Sequence, residues 1–364
     1  AMGDADDFDA TVFPDGQDHD PDVTQHYVLN PAQVGKAINV VSLADGNTIT
    51  AGATTLSLNK NELGTIPATA ITHGVLIEGS KAFSIGSSIN ATDMPAPASF
   101  AGTRFVIPHL RDKHVYYLLS TSGDAAVTFN DGTTATAATA LQGQVLTVDM
   151  GTINGIAMTI ESDLPIMVVH TGSVSSSPDR DVYPVPPASM NLWGSRRGAY
   201  IGALEDNTTV SVYTSGGLTE QITLNANQRK GVSIGDNSAE GASDVVHLVA
   251  DKPIAAVEYA DSDGGETTAF LDSVYLANHY AMPVASQYIV VACSATGDVT
   301  LTDGAEPPQT ETCTSDGQTP GRVYFGSTTD GANISAGAVI ESTVPIYLMY
   351  EESVHNDEHN LLGR

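Results

Sequence analysis

The chain has 364 residues, which is more than one ordinary domain, since domains average about 150 residues. Its 34 glycines, 18 prolines and low charged fraction (16%) are typical of many short strands joined by turns, and they exclude helical bundles and coiled coils. The 43 Asp and Glu against 14 Lys and Arg give a net charge of −29, which disfavours nucleic acid as a partner.

Membrane insertion is not expected, because no uninterrupted apolar run approaches the roughly 18 residues that cross a bilayer. The start, Ala-Met-Gly, carries no targeting segment and fits a cloning scar, a mature end after signal removal, or a native end after loss of the initiator Met. Cys293 and Cys313 are the only cysteines, which leaves open one disulfide or two free thiols.

An acidic N-terminal arm, 1–25, precedes the first predicted strands, with a cluster of acids between positions 4 and 22. Such an arm is either disordered or docks onto a neighbouring copy and becomes ordered there. A short C-terminal tail, 353–364, is predicted to trail the last strands in the same way.

Internal repetition is the strongest pattern in the rest of the chain. A linker with Pro and Ser recurs nearly evenly, and each linker is followed by a Thr- and Val-rich hairpin arm with alternating polarity. The linkers are 27–33, 93–99, 182–189 and 279–286; the hairpin arms are 46–52, 124–132, 207–216 and 297–304.

A third landmark closes each repeat with a proline between two strand-like segments, at 160–170, 249–259 and 340–350. Because proline cannot donate a ladder hydrogen bond, it is expected to break one strand and start the next. The first copy, 77–84, keeps the pattern without the proline.

We therefore predict an all-β fold with four tandem β-repeat units of about 70–97 residues, arranged like a propeller or as serial sandwiches. The predicted boundaries are 26–92 for unit 1, 93–181 for unit 2, 182–278 for unit 3 and 279–352 for unit 4.

Several of these motifs together resemble a known family. The steps Asp-Asn-Thr-Thr-Val at 206–210, Lys-Pro-Ile at 252–254 and Pro-Pro-Ala-Ser at 186–189, with a Tyr-containing strand, are similar to the N-terminal repeat region of IgGFc-binding-protein-like sequences. The resemblance consists of short motifs within about three quarters of the chain. It implies a secreted or surface β-repeat protein that acts in adhesion and binding, and it implies no catalytic residues.

Two motifs match enzyme patterns without their usual context. His355-Asn-Asp-Glu-His359 spells the inverted zinc-protease motif, which needs a helix and a further ligand downstream, yet only five residues follow His359. Gly231-Val-Ser-Ile-Gly235 spells a nucleophile elbow, but a loop and not a helix is predicted after it. We interpret the first as a polar tail and the second as an ordinary strand.

One acidic loop is the candidate metal site. Asp261, Asp263 and Glu266 follow a predicted strand and supply the hard oxygen ligands that calcium prefers. The alternative is a solvated acidic loop, so calcium is a candidate cofactor and no other cofactor is predicted.

A candidate contact surface contains the only tryptophan. Trp193 lies close in sequence to Arg196 and Arg197, and Trp and Arg are enriched at interface hot spots. The alternative is that the arginines pair with nearby acids.

These patterns favour a non-enzymatic surface or structural protein, located outside the cell, on the cell surface or in a virion. Its β-repeat loops would serve binding and adhesion or self-assembly, as a virion or filament component or as a secreted adhesin-like protein. Expected partners are copies of itself, other surface or virion proteins, and glycans. The alternative is a carbohydrate-active hydrolase that uses paired carboxylates.

Overall fold

The fold is described from a computed structural model. The described residues are 23–89, 92–108, 113–153, 155–173, 180–196, 198–233, 244–258, 267–327 and 333–364. The predicted all-β class is confirmed, since every described element longer than three residues is a β-strand. Four short 3₁₀ turns accompany the strands: Pro31–Gln33, Ala68–Ala70, Ala98–Phe100 and Ser273–Tyr275. Below, the names units 1 to 4 refer to the described parts of 23–101, 102–188, 189–276 and 277–364, according to which strands pair with one another. The predicted number of units and the predicted boundaries stay predictions.

The strands of unit 2 form one curled seven-stranded sheet around a central bent strand, β14. The first half of β14 pairs with β9 and β11, and the second half pairs with β10 and β15. The outer strand β12 pairs with β11, and β13 pairs with β10. The strands are β9 (Gly102–Ile107), β10 (Lys113–Ser120), β11 (Ala125–Asn130), β12 (Ala135–Ala140), β13 (Leu146–Thr152), β14 (Met158–Ser173) and β15 (Arg180–Val185).

Unit 3 uses the same pairing scheme. The first half of its long strand β21 pairs with β16 and β18, and the second half pairs with β17. The outer strands β19 and β20 pair with β18 and β17, and a short strand, β22, extends the edge of β16. The strands are β16 (Ser189–Arg196), β17 (Gly198–Ala203), β18 (Thr208–Thr214), β19 (Gly217–Leu224), β20 (Arg229–Ser233), β21 (Asp244–Glu258) and β22 (Leu271–Asp272).

Unit 4 repeats the scheme around its long strand β28. The first half of β28 pairs with β23 and β25, and the second half pairs with β24 and β29. The outer strands β26 and β27 pair with β25 and β24. The strands are β23 (Ala277–Ala281), β24 (Ser286–Cys293), β25 (Gly297–Thr302), β26 (Gln309–Cys313), β27 (Gly321–Gly326), β28 (Val339–Glu352) and β29 (Glu358–Asn360).

Unit 1 differs because its long strand is interrupted, so that β6 pairs in one sheet and β7 in another. The Asn47 side chain holds the interruption: its amide donates to the carbonyls of Lys81 and Ala82, and its oxygen accepts the N–H of Lys81. The strands are β1 (Gln25–Tyr27), β2 (Ile38–Ser42), β3 (Asn47–Ala51), β4 (Thr54–Leu58), β5 (Leu63–Ile66), β6 (Leu76–Gly79), β7 (Phe83–Gly86) and β8 (Ala96–Pro97).

The prolines of the third landmark do not end the strands, contrary to the prediction. Pro165, Pro253 and Pro345 lie inside continuous strands of 16, 15 and 14 residues. Each lies where the long strand changes partners; in β14, for example, the register of pairing with β9 shifts between Glu161 and Ile166. Proline has no backbone N–H to donate. Each proline therefore lies at a bend, where the hydrogen bonds between neighbouring strands are already interrupted.

A side-chain contact fastens this bend in the same way in all four stretches. The residue two positions before the proline, or before Ala82 in unit 1, accepts the backbone N–H of the second residue of the first hairpin strand, which is β3, β11, β18 or β25. These acceptor and donor pairs are Ser80 and Thr48, Asp163 and Ala126, Asp251 and Thr209, and Thr343 and Asp298. The internal similarity of the sequence thus corresponds to a repeated structural contact.

The C-terminal segment is not a polar tail. Strand β29 pairs with the second half of β28. Glu358, His359, Asn360, Leu361 and Leu362 are each less than 5% exposed. The interpretation of this segment as a polar tail is therefore wrong for residues 358–362.

The apolar cores connect the units in a non-sequential way. One core combines unit 1 side chains such as Phe83 and Phe100 with Trp193 and Tyr275 of unit 3 and Tyr347 of unit 4. Phe100 and Tyr275 form an edge-to-face aromatic pair with centroids 4.9 Å apart. Unit 2 keeps a core of its own, to which unit 3 contributes the buried Val257 and Ala269 and the partly buried Tyr200. Because unit 1 packs on units 3 and 4, the units do not stand in a simple row.

One disulfide links Cys293 at the end of β24 to Cys313 at the end of β26, and both cysteines are fully buried. This answers the question that the sequence left open. Gly321 packs directly on both sulfur atoms, where any side chain would collide with them.

Candidate functional site

A buried polar junction centred on Asp93 joins segments from all four units. The backbone N–H of Asp93 donates to the carbonyl of Val182 (2.9 Å), and its carbonyl accepts from the Gln33 amide (2.8 Å). The carboxylate accepts from the Thr268 hydroxyl (3.0 Å) and contacts Nδ1 of His359 (2.7 Å). Asp93 is 7% exposed, so these contacts replace water almost completely.

The charge state of His359 follows from its surroundings. Burial alone lowers the pKa of His359, whereas the hydrogen bond and the negative charge of Asp93 raise it, with further contributions from Asp357 and Glu352. The net effect is a pKa above the ordinary histidine value. The protonated form of His359, which makes its contact with Asp93 a buried, hydrogen-bonded ion pair, is therefore favoured more than in an ordinary histidine.

The neighbours of His359 extend the junction. The amide of Asn360 donates to the carbonyl of Ala269, and its oxygen accepts from the Tyr347 hydroxyl. The Tyr288 hydroxyl donates to the Glu358 carboxylate (2.6 Å). Strand β29 thus connects the last part of the chain to unit 3 and to two tyrosines of unit 4.

The zinc-protease motif has no catalytic geometry. His355 is exposed in a turn, whereas Glu358 and His359 lie on strand β29, so the two histidines are not one helical turn apart. His359 is occupied by Asp93. Across the part of the chain that the structure describes, no group of three or more His, Cys, Asp or Glu side chains is placed to hold a metal ion.

The nucleophile-elbow motif lies at the end of strand β20, which ends at Ser233. Val232 is 3% exposed and Ser233 is exposed, the alternation of an ordinary strand. Ile234 and Gly235 of the motif lie outside the described residues. The candidate calcium ligands Asp261, Asp263 and Glu266 also lie outside them. Calcium binding by these three residues stays a prediction.

Trp193 lies in the core shared by units 1, 3 and 4 and is only 2% exposed. Its ring stacks on His247 with centroids 4.1 Å apart and an interplanar angle of 15°. His247 donates from Nδ1 to the carbonyl of Gln318 in unit 4 (2.9 Å), and burial lowers its pKa to about 4 although that bond raises it. The tryptophan therefore serves a contact between units of one chain.

Nε2 of His247 lies 2.6 Å from the side-chain oxygen, Oδ1, of Asn191. A neutral ring that donates from Nδ1 can satisfy this second contact only if the amide turns its NH₂ group toward Nε2. The side chains of Arg196 and Arg197 lie outside the described part. The predicted interface role of Trp193, Arg196 and Arg197 stays a prediction.

Unit 2 has one side where its core is not closed, which we call the open side. It is lined by Ala138 on β12 and by Leu146, Val148 and Met150 on β13, all of them only partly buried. Leu141, in the turn between the two strands, is 45% exposed. β12 and β13 each pair with a single described strand, so each has an outer edge without a described strand neighbour.

The corresponding outer strands of units 3 and 4 bury more of their apolar side chains, although Leu218 on β19 is 60% exposed. Ile222 and Val232 in unit 3 are 8% and 3% exposed, and Val323 and Phe325 in unit 4 are 5% and 2% exposed. Half-exposed apolar side chains along a sheet edge favour the addition of another chain. The open side is therefore a described surface suited to bind a protein partner.

Buried carboxylates give the hydrolase alternative no support. Asp93, Glu258, Glu352 and Glu358 are all less than 9% exposed. A glycosidase needs two carboxylates that face a bound sugar, and these four side chains lie inside the protein.

No described helix is long and apolar enough to span a membrane.

Sequence reasoning missed both the junction and the open side. Asp93 was noticed only as the first residue of a linker, and His359 only through a motif of unrelated chemistry. The open side did have a signal: Leu146, Val148 and Met150 alternate with Thr147 and Asp149, the period of a half-buried strand.

Comparison with protein families and curated proteins found no relative of this chain. No protein-family model matches the chain, and no curated protein is significantly similar to it.

Proposed function

We propose that the protein is a non-enzymatic surface or structural protein that assembles with copies of itself through the open side of unit 2. The observation that carries the proposal is the row of half-exposed apolar side chains on β12 and β13. Burying such a row on association contributes about 25 cal/mol for each Å² of apolar surface removed from water.

The construction of the rest of the molecule supports a structural role. The Asp93 junction and the shared core tie distant parts of the chain into one body, which suits a subunit that has to keep its shape in an assembly. The charge of −29 opposes close approach of two copies, so association is favoured where salt screens the repulsion.

The proposed location is extracellular, on a cell surface or in a virion. The buried Cys293–Cys313 disulfide supports it, because disulfides persist mainly in oxidising surroundings. A secreted adhesive protein, as the resemblance to IgGFc-binding-protein-like sequences implies, and a virion or filament component both fit this location. The open side favours the assembling component of the two.

Size exclusion coupled to light scattering tests the proposal on the full chain, at micromolar concentration and at low and high salt. We expect an oligomer that survives dilution and becomes more abundant as salt rises. A monomer under all these conditions would contradict self-assembly and favour an adhesin-like binder. The same experiment with millimolar calcium tests the loop of Asp261, Asp263 and Glu266, because assembly that requires calcium would point to that loop.

A further inference from the structure

Three triplets of the form Asn-X-Ser/Thr occur in the chain, at Asn90-Ala-Thr92, Asn207-Thr-Thr209 and Asn333-Ile-Ser335. Such a triplet marks an asparagine that can accept an N-linked glycan when the middle residue is not proline. The pattern alone selects none of the three, because a Thr-rich chain contains such triplets by chance. Asn90 lies outside the described residues, as does the predicted N-terminal arm up to residue 22, so neither enters the argument.

Asn207 lies in the exposed turn between strands β17 and β18. Its backbone has a positive φ of 55°, a conformation that asparagine adopts more readily than most residues. The backbone N–H of Asn207 donates to the side-chain oxygen of Asn225 (3.1 Å). Its side-chain amide makes no hydrogen bond to any described residue. Modification of this amide would therefore leave every described contact of the turn intact.

The third residue of the same triplet also keeps its reactive group clear of the fold. Thr209 is half-buried on β18 and donates its backbone N–H to Asp251 (2.8 Å), whereas its hydroxyl bonds to no described residue. The middle residue, Thr208, anchors the turn instead, because its hydroxyl donates to the carbonyl of Glu205 (2.7 Å). The two groups that define the acceptor pattern are thus not needed to hold this turn.

Asn333 differs, although it is exposed as well. Its side-chain amide donates to the carbonyls of Ser327 (2.9 Å) and Gln287 (3.2 Å). A glycan replaces one of the two amide hydrogens and would remove one of these bonds. The next residue, Ile334, is 1% exposed and packs in the core of unit 4. The folded protein therefore accommodates a glycan at Asn207 at lower cost than at Asn333.

We propose that Asn207 is an N-glycosylation site of this protein. The substrate for the modification is an oligosaccharide carried on a lipid pyrophosphate. Nδ2 of Asn207 forms a bond to the anomeric carbon of this oligosaccharide, and the bond from that carbon to the pyrophosphate oxygen breaks. The lipid pyrophosphate leaves with the bonding electrons, and Nδ2 gives up one proton. The product is a bulky, solubilising group on the surface of unit 3.

This proposal rests on the proposed location outside the cell and not on self-assembly through the open side. The buried Cys293–Cys313 disulfide supports that location, because disulfides form and persist in the oxidising surroundings of secreted proteins. N-glycans are added to surface loops of proteins that take the same route.

The test uses two full-length variants that keep Asn207 and its turn. Thr209→Ala removes the hydroxyl that the acceptor pattern requires, and Thr209→Ser keeps one. Wild type and both variants are expressed behind a secretion signal in eukaryotic cells that add N-glycans. The secreted proteins are then analysed by mass spectrometry and peptide mapping, before and after treatment with a peptide N-glycosidase, which converts the modified asparagine to aspartate.

We expect a removable glycan at Asn207 in wild type and in Thr209→Ser, and an unmodified Asn207 in Thr209→Ala. Because only the side chain at 209 differs between the variants, a general failure of folding or secretion would not produce this pattern. A glycan at Asn333 with none at Asn207 would overturn the argument from the amide contacts.

Two further outcomes separate this proposal from the proposed location. A secreted wild-type protein with an intact disulfide and an unmodified Asn207 would overturn the glycosylation site and leave the location supported. A wild-type chain that stays inside the cell with both cysteines open to alkylation would contradict the extracellular location, and the glycosylation site with it.

Discussion

Units 2 and 4 share the same strand pairing but differ in how their outer strands are covered. In unit 4, β27 contacts β21 of unit 3, and Tyr324 packs against the core shared by three units. Val323, next to Tyr324 but on the opposite face of β27, packs in the core of unit 4 and is 5% exposed. In unit 2, the equivalent strand β13 leaves Val148 partly exposed, and no described segment covers it. The same strand scheme therefore buries the outer strand more completely in unit 4 than in unit 2.

The closed part of the molecule is organised around Asp93, whereas the open side contains no buried charge among its lining residues. This contrast predicts a different sensitivity to mutation in the two regions. Changes in the closed part should affect stability, and changes on the open side should affect association.

The largest effect is expected from Asp93→Ala. It removes one partner of a buried ion pair and leaves His359 uncompensated, a change that typically costs about 3–5 kcal/mol of unfolding free energy. Urea unfolding followed by circular dichroism measures it. Glu306→Ala, at an exposed loop carboxylate, is the control and should leave the unfolding free energy within about 0.5 kcal/mol of wild type. A loss below about 1 kcal/mol for Asp93→Ala would show that the junction does not hold the units together.

The next effect is expected from removing the disulfide with Cys293→Ala and Cys313→Ala. The bond closes a loop of 20 residues in sequence separation, for which the loss of chain constraint costs about 3 kcal/mol. Urea unfolding of the double variant measures the loss. Association through the open side should be unaffected, so a double variant that no longer assembles would break the separation between the two regions.

These two regions also differ in how far the sequence could predict them. The composition and the two-residue alternation were sufficient for the all-β class and for the hairpin arms, because both depend on local geometry. The repeated prolines marked the long strands correctly but suggested breaks, since a local rule does not show that the strand changes partners and continues at Pro165.

The junction could not be predicted, because Asp93 and His359 are 266 positions apart and no local pattern links them. The sequence predicted one of the two features that define the open side. The alternation of Leu146, Val148 and Met150 shows which face turns inward, but only the packing of neighbouring units shows that this face stays partly uncovered. Covering depends on tertiary contacts that a single sequence does not encode locally.

A smaller effect provides the most direct comparison between the regions. Val323→Ala and Val148→Ala are the same chemical change on equivalent strands, β27 and β13. Val323 is nearly fully buried, so Val323→Ala should lower the free energy of unfolding by about 2 kcal/mol. Val148 is only partly buried, so Val148→Ala should lower it by about half as much or less. Thermal and urea unfolding measure both losses of unfolding free energy, at a protein concentration low enough to keep association minimal. Equal losses would mean that the open side is closed in solution.

The last effect is a dependence of stability on pH with opposite signs at two histidines. The pKa of His247 is lowered to about 4 in the folded protein, below the unfolded value of about 6.5, so its contribution is present above pH 6.5 and is lost as pH falls toward 4. The pKa of His359 is raised, so its contribution is complete below about pH 6.5 and is lost as pH rises through the folded pKa.

Unfolding free energy should therefore be highest near pH 6.5 and should fall on both sides, by at most about 1.4 kcal/mol per pH unit for each group. His247→Asn should flatten the acid side, and His359→Asn should flatten the alkaline side. His355→Asn, at an exposed histidine, is the control that should leave both sides unchanged. If His359→Asn kept the alkaline slope, the surface charge of −29, and not the Asp93 junction, would be its cause.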